Sequence, residues 1–259
     1  MKQIIKKGSF LTLMFLLLGC LSLYAADNDL ITRQITITLE KAGTLPDRIA
    51  SSKKNKITNL KIIGEINGTD LRMIREMAGS NSNGNSTDGK LSVLDLSEAK
   101  IVKGGDSYYN DYNDNDYYTS NDVIGSEAFR ACSGLTSLTL PASITSIGFG
   151  AFDSSGLTSI YVYAEKVPKG RNVFVGVDAK KCTLYVPKGT RNDYCASDFG
   201  NYIENIVEFD ATGIDKITTS TDVEEVARYS VNGQRLSAPT KGLNIVKYSD
   251  GSVKKVTVQ

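Results

Sequence analysis

The stretch VIGSEAFRACSGLTSLTLPASI, residues 123–144, is restated almost at once as SIGFGAFDSSGLTSIYVY, residues 146–163. Ile124-Gly125 returns as Ile147-Gly148 and Ala128-Phe129 as Ala151-Phe152, each 23 residues later. Leu138 and Leu140 return as Ile160 and Val162 after 22. A unit this short cannot bury its own apolar side. Each copy must therefore use the copies before and after it as core, which confines the chain to a stack of coils.

Other rungs follow from that key. CTLYVPKGT puts Leu184, Val186 and Pro187 where SLTLPAS puts Leu138, Leu140 and Pro141, and Phe174 falls where Phe152 predicts a partner. Upstream, LSVLDLSEAKI supplies Leu94 and Leu96, and ITNLKIIG supplies Leu60 and Ile62. ITITLEKAG alternates Ile35, Ile37 and Leu39 and reads as a strand that caps or opens the stack. The strand centres 60–62, 94–96, 138–140, 160–162 and 184–186 are spaced by 34, 44, 22 and 24 residues, so the first two intervals carry insertions. A period in the low twenties with an L-x-L centre marks leucine-rich repeats. The expected architecture is an α/β leucine-rich repeat solenoid: a short right-handed coil with a parallel strand ladder and short helices or turns on the convex side.

Within the first insertion, TDLRMIREMAG (69–79) reads as a helix capped by Thr69 or Asp70, with Leu71, Ile74 and Ala78 on one face and Gly79 as its stop. SNSNGNSTDG behind it reads as an exposed loop. The second insertion, GGDSYYNDYNDNDYYTSND (104–122), holds five tyrosines, five aspartates and four asparagines. It reads as a solvated, replaceable loop whose tyrosines pack back on the coil. Asp111, Asn113, Asn115 and Asp122 fall at calcium-loop spacing, but Asp116 stands where the sharp turn of such a loop needs glycine, so the calcium candidate is weak.

Side chains alternate across a strand. If the leucines of L-x-L point inward, Lys61, Asp95, Thr139, Tyr161 and Tyr185 form an outward row, flanked by Ser97, Ser159, Tyr163 and Thr183. The three tyrosines are a candidate contact patch, because tyrosine offers a large amphipathic area at low entropic cost. The competing reading is that tyrosine merely suits a strand and covers the ladder.

IGSEAFRACSGLTSLTLPASITSIG resembles the BspA-like leucine-rich repeat of anaerobic bacterial surface proteins at its isoleucine-glycine, alanine-phenylalanine, cysteine, leucine and proline positions. CTLYVPKGTRNDYCASDFGNYIENIVEF is similar to that family's terminal unit, and GEINGTDLRMIREMAG and GKLSVLDLSEAKIV resemble its N-terminal rungs. The likeness covers about residues 40–209. Cys195 departs from it, and Ser154 or Ser155 stands where the family has cysteine. The resemblance implies a non-enzymatic adhesin-like protein that binds a host matrix or bacterial surface protein through the ladder. An envelope structural or glycan-capture component is the alternative.

Ahead of the repeats, Lys2, Lys6 and Lys7 precede the apolar run FLTLMFLLLGCLSLYA, and residues 1–26 read as a secretory signal. LLGC ending at Cys20 is similar to a lipoprotein processing site, although residues 21–25 stay largely apolar; peptidase cleavage near Ala25 or Ala26 is the favoured reading. Losing three lysines and no acids takes the formal charge from +1 to −2. Nothing is basic enough to follow a phosphate backbone, so nucleic acid is not an expected partner, and a membrane is met only through a lipid or surface anchor. There is no histidine. With no usual general base, no zinc spacing and no glycine-rich phosphate cradle, neither an enzyme nor a cofactor is expected. Cys132 and Cys182 read as small buried hydrophobes, with a Cys182–Cys195 bridge left open.

The repeat domain is expected over residues 27–210 and a separate small all-β module over 211–259, where Asn232-Gly233 and Asp250-Gly251 mark turns. Tyr229, the run from Asn232 to Arg235, Gly242, Ile245 and the closing Val253-Lys-Lys-Val256 resemble a C-terminal sorting domain of the kind associated with type IX secretion. A plain β module fits those residues equally well.

Overall fold

The computed structural model describes residues 30–211, 225–230, 234–248 and 253–258. The expected signal segment, Cys20 and the turns at 232–233 and 250–251 lie outside them. The chain divides into two compact units, Met1–Ala211 and Thr212–Gln259.

The first unit is organised by one parallel sheet. Its strands are β1 (Ile35–Leu39), β2 (Asn59–Ile66), β3 (Val93–Asp95), β4 (Ala99–Ile101), and, after the second insertion, β8 (Ser137–Leu140), β10 (Ser159–Val162), β12 (Thr183–Pro187) and β13 (Asn205–Phe209). The order is β1-β2-β3-β8-β10-β12-β13, with β4 continuing beside β2. The register aligns Ile35, Leu60, Leu94, Leu138, Ile160, Leu184 and Ile206 in one column. The five from Leu60 to Leu184 are fully buried. The five strand centres expected from the repeat thus share a ladder, and ITITL and NIVEF extend it at its two ends.

The opposite wall of the coils is also in register. Two-residue strands β7 (Val123–Ile124), β9 (Ser146–Ile147) and β11 (Lys169–Gly170) form a second parallel sheet that aligns Ile124 with Ile147. Turns, rather than helices, complete these coils. The turns demand left-handed backbone at matching places: Glu127, Gly150 and Asn172 share one such position, and Ala131, Ser154 and Gly176 another. Gly148 lets coils approach closely, since a side-chain carbon there would collide with the Ser126 backbone. Between the walls Phe129, Phe152 and Phe174 stack at 6.1 and 5.5 Å, and Phe199 closes the series edge-on at 5.4 Å. The last coil ends in helix α4 (Arg191–Cys195), whose Tyr194 is buried and donates its hydroxyl proton to the Ala164 carbonyl.

The earlier coils are less regular. Helices α1 (Leu45–Arg48) and α2 (Ser51–Lys54) follow β1, and α3 (Gly68–Met77) follows β2. The cap of α3 is Asn67, not the expected Thr69 or Asp70. Its Oδ1 accepts the Thr69 amide while the Asp70 carboxylate accepts the Asn67 amide. Asp70 is fully buried because it also accepts the amides of Gly43 and Leu45, tying α1 to α3.

The segment 104–122 is not a solvated loop. It forms an antiparallel hairpin, β5 (Gly104–Asn110) and β6 (Asp116–Thr119). Tyr108 and Tyr109 belong to the core, whereas Tyr112 and Tyr118 are exposed. Tyr108 donates to the Ser126 carbonyl, and the Tyr109 ring lies 4.8 Å from the guanidinium carbon of Arg75. Arg75 is itself fully buried. Its Nη1 donates to the carbonyls of Glu127 and Ala128, both at 2.9 Å, and its Nη2 to those of Asn81 and Arg130. One side chain thereby joins α3, the loop behind it and the first regular coil.

In the second unit, β14 (Glu225–Ser230), β15 (Arg235–Leu236), β16 (Gly242–Tyr248) and β17 (Val253–Val258) form an antiparallel sheet in the order β15-β14-β16-β17. Val246 and Asn244 are buried there, and Arg228 pairs with Glu225 and donates to Asn244.

Candidate functional site

The register that buries the leucine column turns the intervening residues to solvent. Thr36, Lys61, Asp95, Thr139, Tyr161, Tyr185 and Val207 occupy successive strands in one row. All five residues expected in this row lie in it. Ser159 and Thr183 are paired in the flanking row, where Asn205 donates to the Thr183 hydroxyl.

The row changes chemistry along its length. At the β2–β3 end it is charged: Lys61 Nζ lies 2.6 Å from Glu98 and 3.4 Å from Asp95. The hydrogen bond to Glu98, with Asp95 nearby, holds the Lys61 ammonium above its ordinary pKa despite partial burial. At the β10–β13 end it is aromatic. Tyr161 and Tyr185 stack with centroids 4.3 Å apart and ring planes 7° from parallel. Phe209 meets Tyr161 edge-on at 5.8 Å and Tyr163 at 5.0 Å. Burial, then the neighbouring Tyr185, pushes the Tyr161 phenol up; burial, then the Asp95 charge, does the same to Tyr163. These rings therefore stay neutral hydrogen-bonding groups at any physiological pH. Phe209 is the residue that the sequence reading left out of the patch. NIVEF was legible as a last strand, and its alternation would have placed Phe209 on the side of Tyr185.

The calcium candidates are not assembled. Asp111, Asn113 and Asn115 lie at the hairpin tip, where Asp111 accepts the amides of Asn113 and Asn115. Strand β6 lies between them and Asp122 in the chain. Among the described residues no cluster of three or more acidic or cysteine side chains could hold a metal ion.

The three described cysteines are free, so the Cys182–Cys195 bridge is not formed. Cys132 and Cys182 are buried in the core, which pushes both thiols up to about 11 and keeps them protonated.

Residues 107–191 match the family described as BspA type Leucine rich repeat region, in 6 copies. No curated protein matches the chain. The family match over residues 107–191 and the parallel ladder fit a leucine-rich repeat solenoid. Repeats of this type generally serve as non-enzymatic protein-interaction modules.

Proposed function

We propose that the protein is an exported, surface-exposed interaction protein that binds a host matrix or bacterial surface protein through the ladder face of its solenoid. The observation that carries this reading is the aromatic cluster of Tyr161, Tyr163, Tyr185 and Phe209 on the open side of the sheet, where a folding role alone would be met by the buried column beneath it. Large, rigid, amphipathic side chains of this kind dominate binding energy at protein interfaces. The face is small, so many copies on one surface would add avidity to modest single-site affinity. The leader-like residues 1–26 support export, and the sorting-type likeness of the second unit supports display at the cell surface. Glycan capture is the lesser reading, because Tyr161 and Tyr185 turn a ring face toward each other and leave less open platform for a sugar.

The test is binding of the whole chain to purified extracellular-matrix proteins and bacterial surface proteins, with and without Tyr161→Ser and Tyr185→Ser together. Loss of at least ~10-fold in affinity is expected where binding occurs. Binding that the double variant leaves unchanged would remove the ladder from the function. Protease treatment of intact cells checks exposure: the protein should be cut, whereas full protection would place it inside the envelope.

A further inference from the structure

The charged and aromatic ends of the row meet at Thr139. In the register Asp95 stands on one side of it and Tyr161 on the other. One face of the Tyr161 ring is closed by Tyr185 at 4.3 Å. Because the two rings are nearly parallel and stacked from strand to strand, the other Tyr161 face looks along the ladder over Thr139. Threonine is too short to cover it. Adjacent strands are about 4.8 Å apart, so Asp95 and Tyr161 are set roughly 10 Å apart with a short residue between them. That gap is wide enough to admit one cationic group, with the ring face on one side of it and the carboxylate on the other.

Asp95 Oδ1 accepts the Ser97 amide and Oδ2 faces Lys61, yet the charges beside the slot do not balance. Lys61 faces two carboxylates and lies nearer Glu98, at 2.6 Å, than Asp95, at 3.4 Å. These three groups sum to one uncompensated negative charge, while Lys100 and Glu65 balance each other. Half-buried Tyr163, packed edge-on against Phe209, flanks the slot on β10's side.

We infer that the slot over Thr139, between the Tyr161 ring face and the Asp95 carboxylate, receives a cationic side chain of an extended protein segment, with arginine its best fit. Arginine suits it better than lysine because a guanidinium is more weakly hydrated than an ammonium and lies readily over an aromatic face. The inference rests on the ladder face being the interaction surface and specifies what that surface reads.

The whole chain is titrated with N-acetyl-arginine amide and followed by NMR at the Tyr161 ring and the Thr139 amide. N-acetyl-citrulline amide, of the same shape without the charge, and methyl glucoside are run beside it. Arginine amide should shift both signals saturably, and citrulline amide should bind at least ~10-fold more weakly. Thr139→Leu, which fills the slot, and Asp95→Asn, which discharges it, should each weaken arginine binding by a similar factor; Thr139→Ser should keep it. Thermal melting of each variant shows that the fold persists, and Asp95→Asn carries the test should Thr139→Leu not fold. Equal binding of citrulline amide, displacement by methyl glucoside, or indifference to both substitutions overturns the inference. It fails alone if arginine amide is ignored while the double tyrosine variant still loses its protein partner. The ladder reading fails instead if that variant keeps the partner, even when arginine amide shifts Tyr161.

Discussion

From Ile124 to Phe209 the solenoid repeats one unit, whereas from Ile31 to Thr119 it is assembled from pieces that each occur once. The later coils solve burial by placing like on like: phenylalanine on phenylalanine, and isoleucine or leucine on its counterpart one coil away. The earlier coils have lost the period and cannot do this. They hold their helices and hairpin with buried polar groups fitted to particular partners, Asp70 under α1 and Arg75 under the first regular coil. A repeated core is a sum of similar neighbour terms. A fitted core fails where its single connecting group is removed.

The largest effect should come from the hairpin. Replacing residues 105–118 with a short glycine linker removes two buried tyrosines and the ring over Arg75. Even after the ordering entropy of the segment is recovered, the loss should exceed about 5 kcal/mol. Urea unfolding should then show the earlier coils melting at lower denaturant than the later ones. A single unchanged transition would mean that the insertion is replaceable after all, as the sequence suggests.

Next comes the phenylalanine stack. Phe152→Ala should cost about 3–5 kcal/mol, as large aromatic truncations in cores do. Phe152 has a ring on each side and Phe129 on only one, so Phe129→Ala should fall at the lower end of that range. Equal values, measured by urea unfolding, would show that stacking between coils adds nothing beyond burial.

Arg75→Met tests the fitted half. The substitution keeps apolar volume but removes the Arg75 donors from the carbonyls of Glu127, Ala128, Asn81 and Arg130, of which Glu127 and Asn81 keep the amides of Arg130 and Gly84. Part of that cost is offset because a guanidinium no longer has to leave water, so the net loss should be about 2–3 kcal/mol. Arg75→Lys should not rescue it, since an ammonium on a flexible stem cannot reach both sides of the fork. Stability unchanged in Arg75→Met would sink the idea that this residue joins the two halves.

The same contrast decides what could be read in advance. The ladder was legible because an L-x-L centre recurs wherever a coil must bury its inner face, even across intervals of 34 and 44 residues. The outward row followed from strand alternation alone. Arg75 was not legible: it stands between Ile74 and Glu76 in α3 and takes its partners from residues 127–130, more than 50 positions away. The hairpin was half legible: its tyrosines were expected to pack back on the coil, and Tyr108 and Tyr109 do, but the strand pairing was not foreseen. What its polar composition hid is the particular partners of those rings, Arg75 and the Ser126 carbonyl, which no local pattern reveals. The slot at Thr139 was not legible either, because the open face of Tyr161 is set by its stacking on Tyr185 and not by sequence spacing.

The smallest effect lies at the junction of the two halves, on Glu127. It holds left-handed backbone at φ 59°, where the next coils place Gly150 and Asn172. Its side chain is only 7% exposed and lies 3.1 Å from Arg130. Burial nevertheless outweighs the Arg130 charge and raises the carboxyl pKa above its ordinary 4.5. In the folded chain Glu127 thus keeps its proton to a higher pH than in the unfolded chain. Just above pH 4.5 the native state binds more protons than the unfolded one, so this group's contribution falls as pH rises through the folded-state pKa. Glu127→Gln has no proton to lose. Its stability relative to the parent should therefore improve as pH climbs above 4.5, an advantage that is largest at neutrality and closes again in acid. Urea unfolding of both chains from pH 4 to 7 measures the gap. A gap that opens in the opposite direction would show that the ion pair with Arg130 outweighs burial, and that the junction, like the rest of the earlier half, depends on a fitted polar contact.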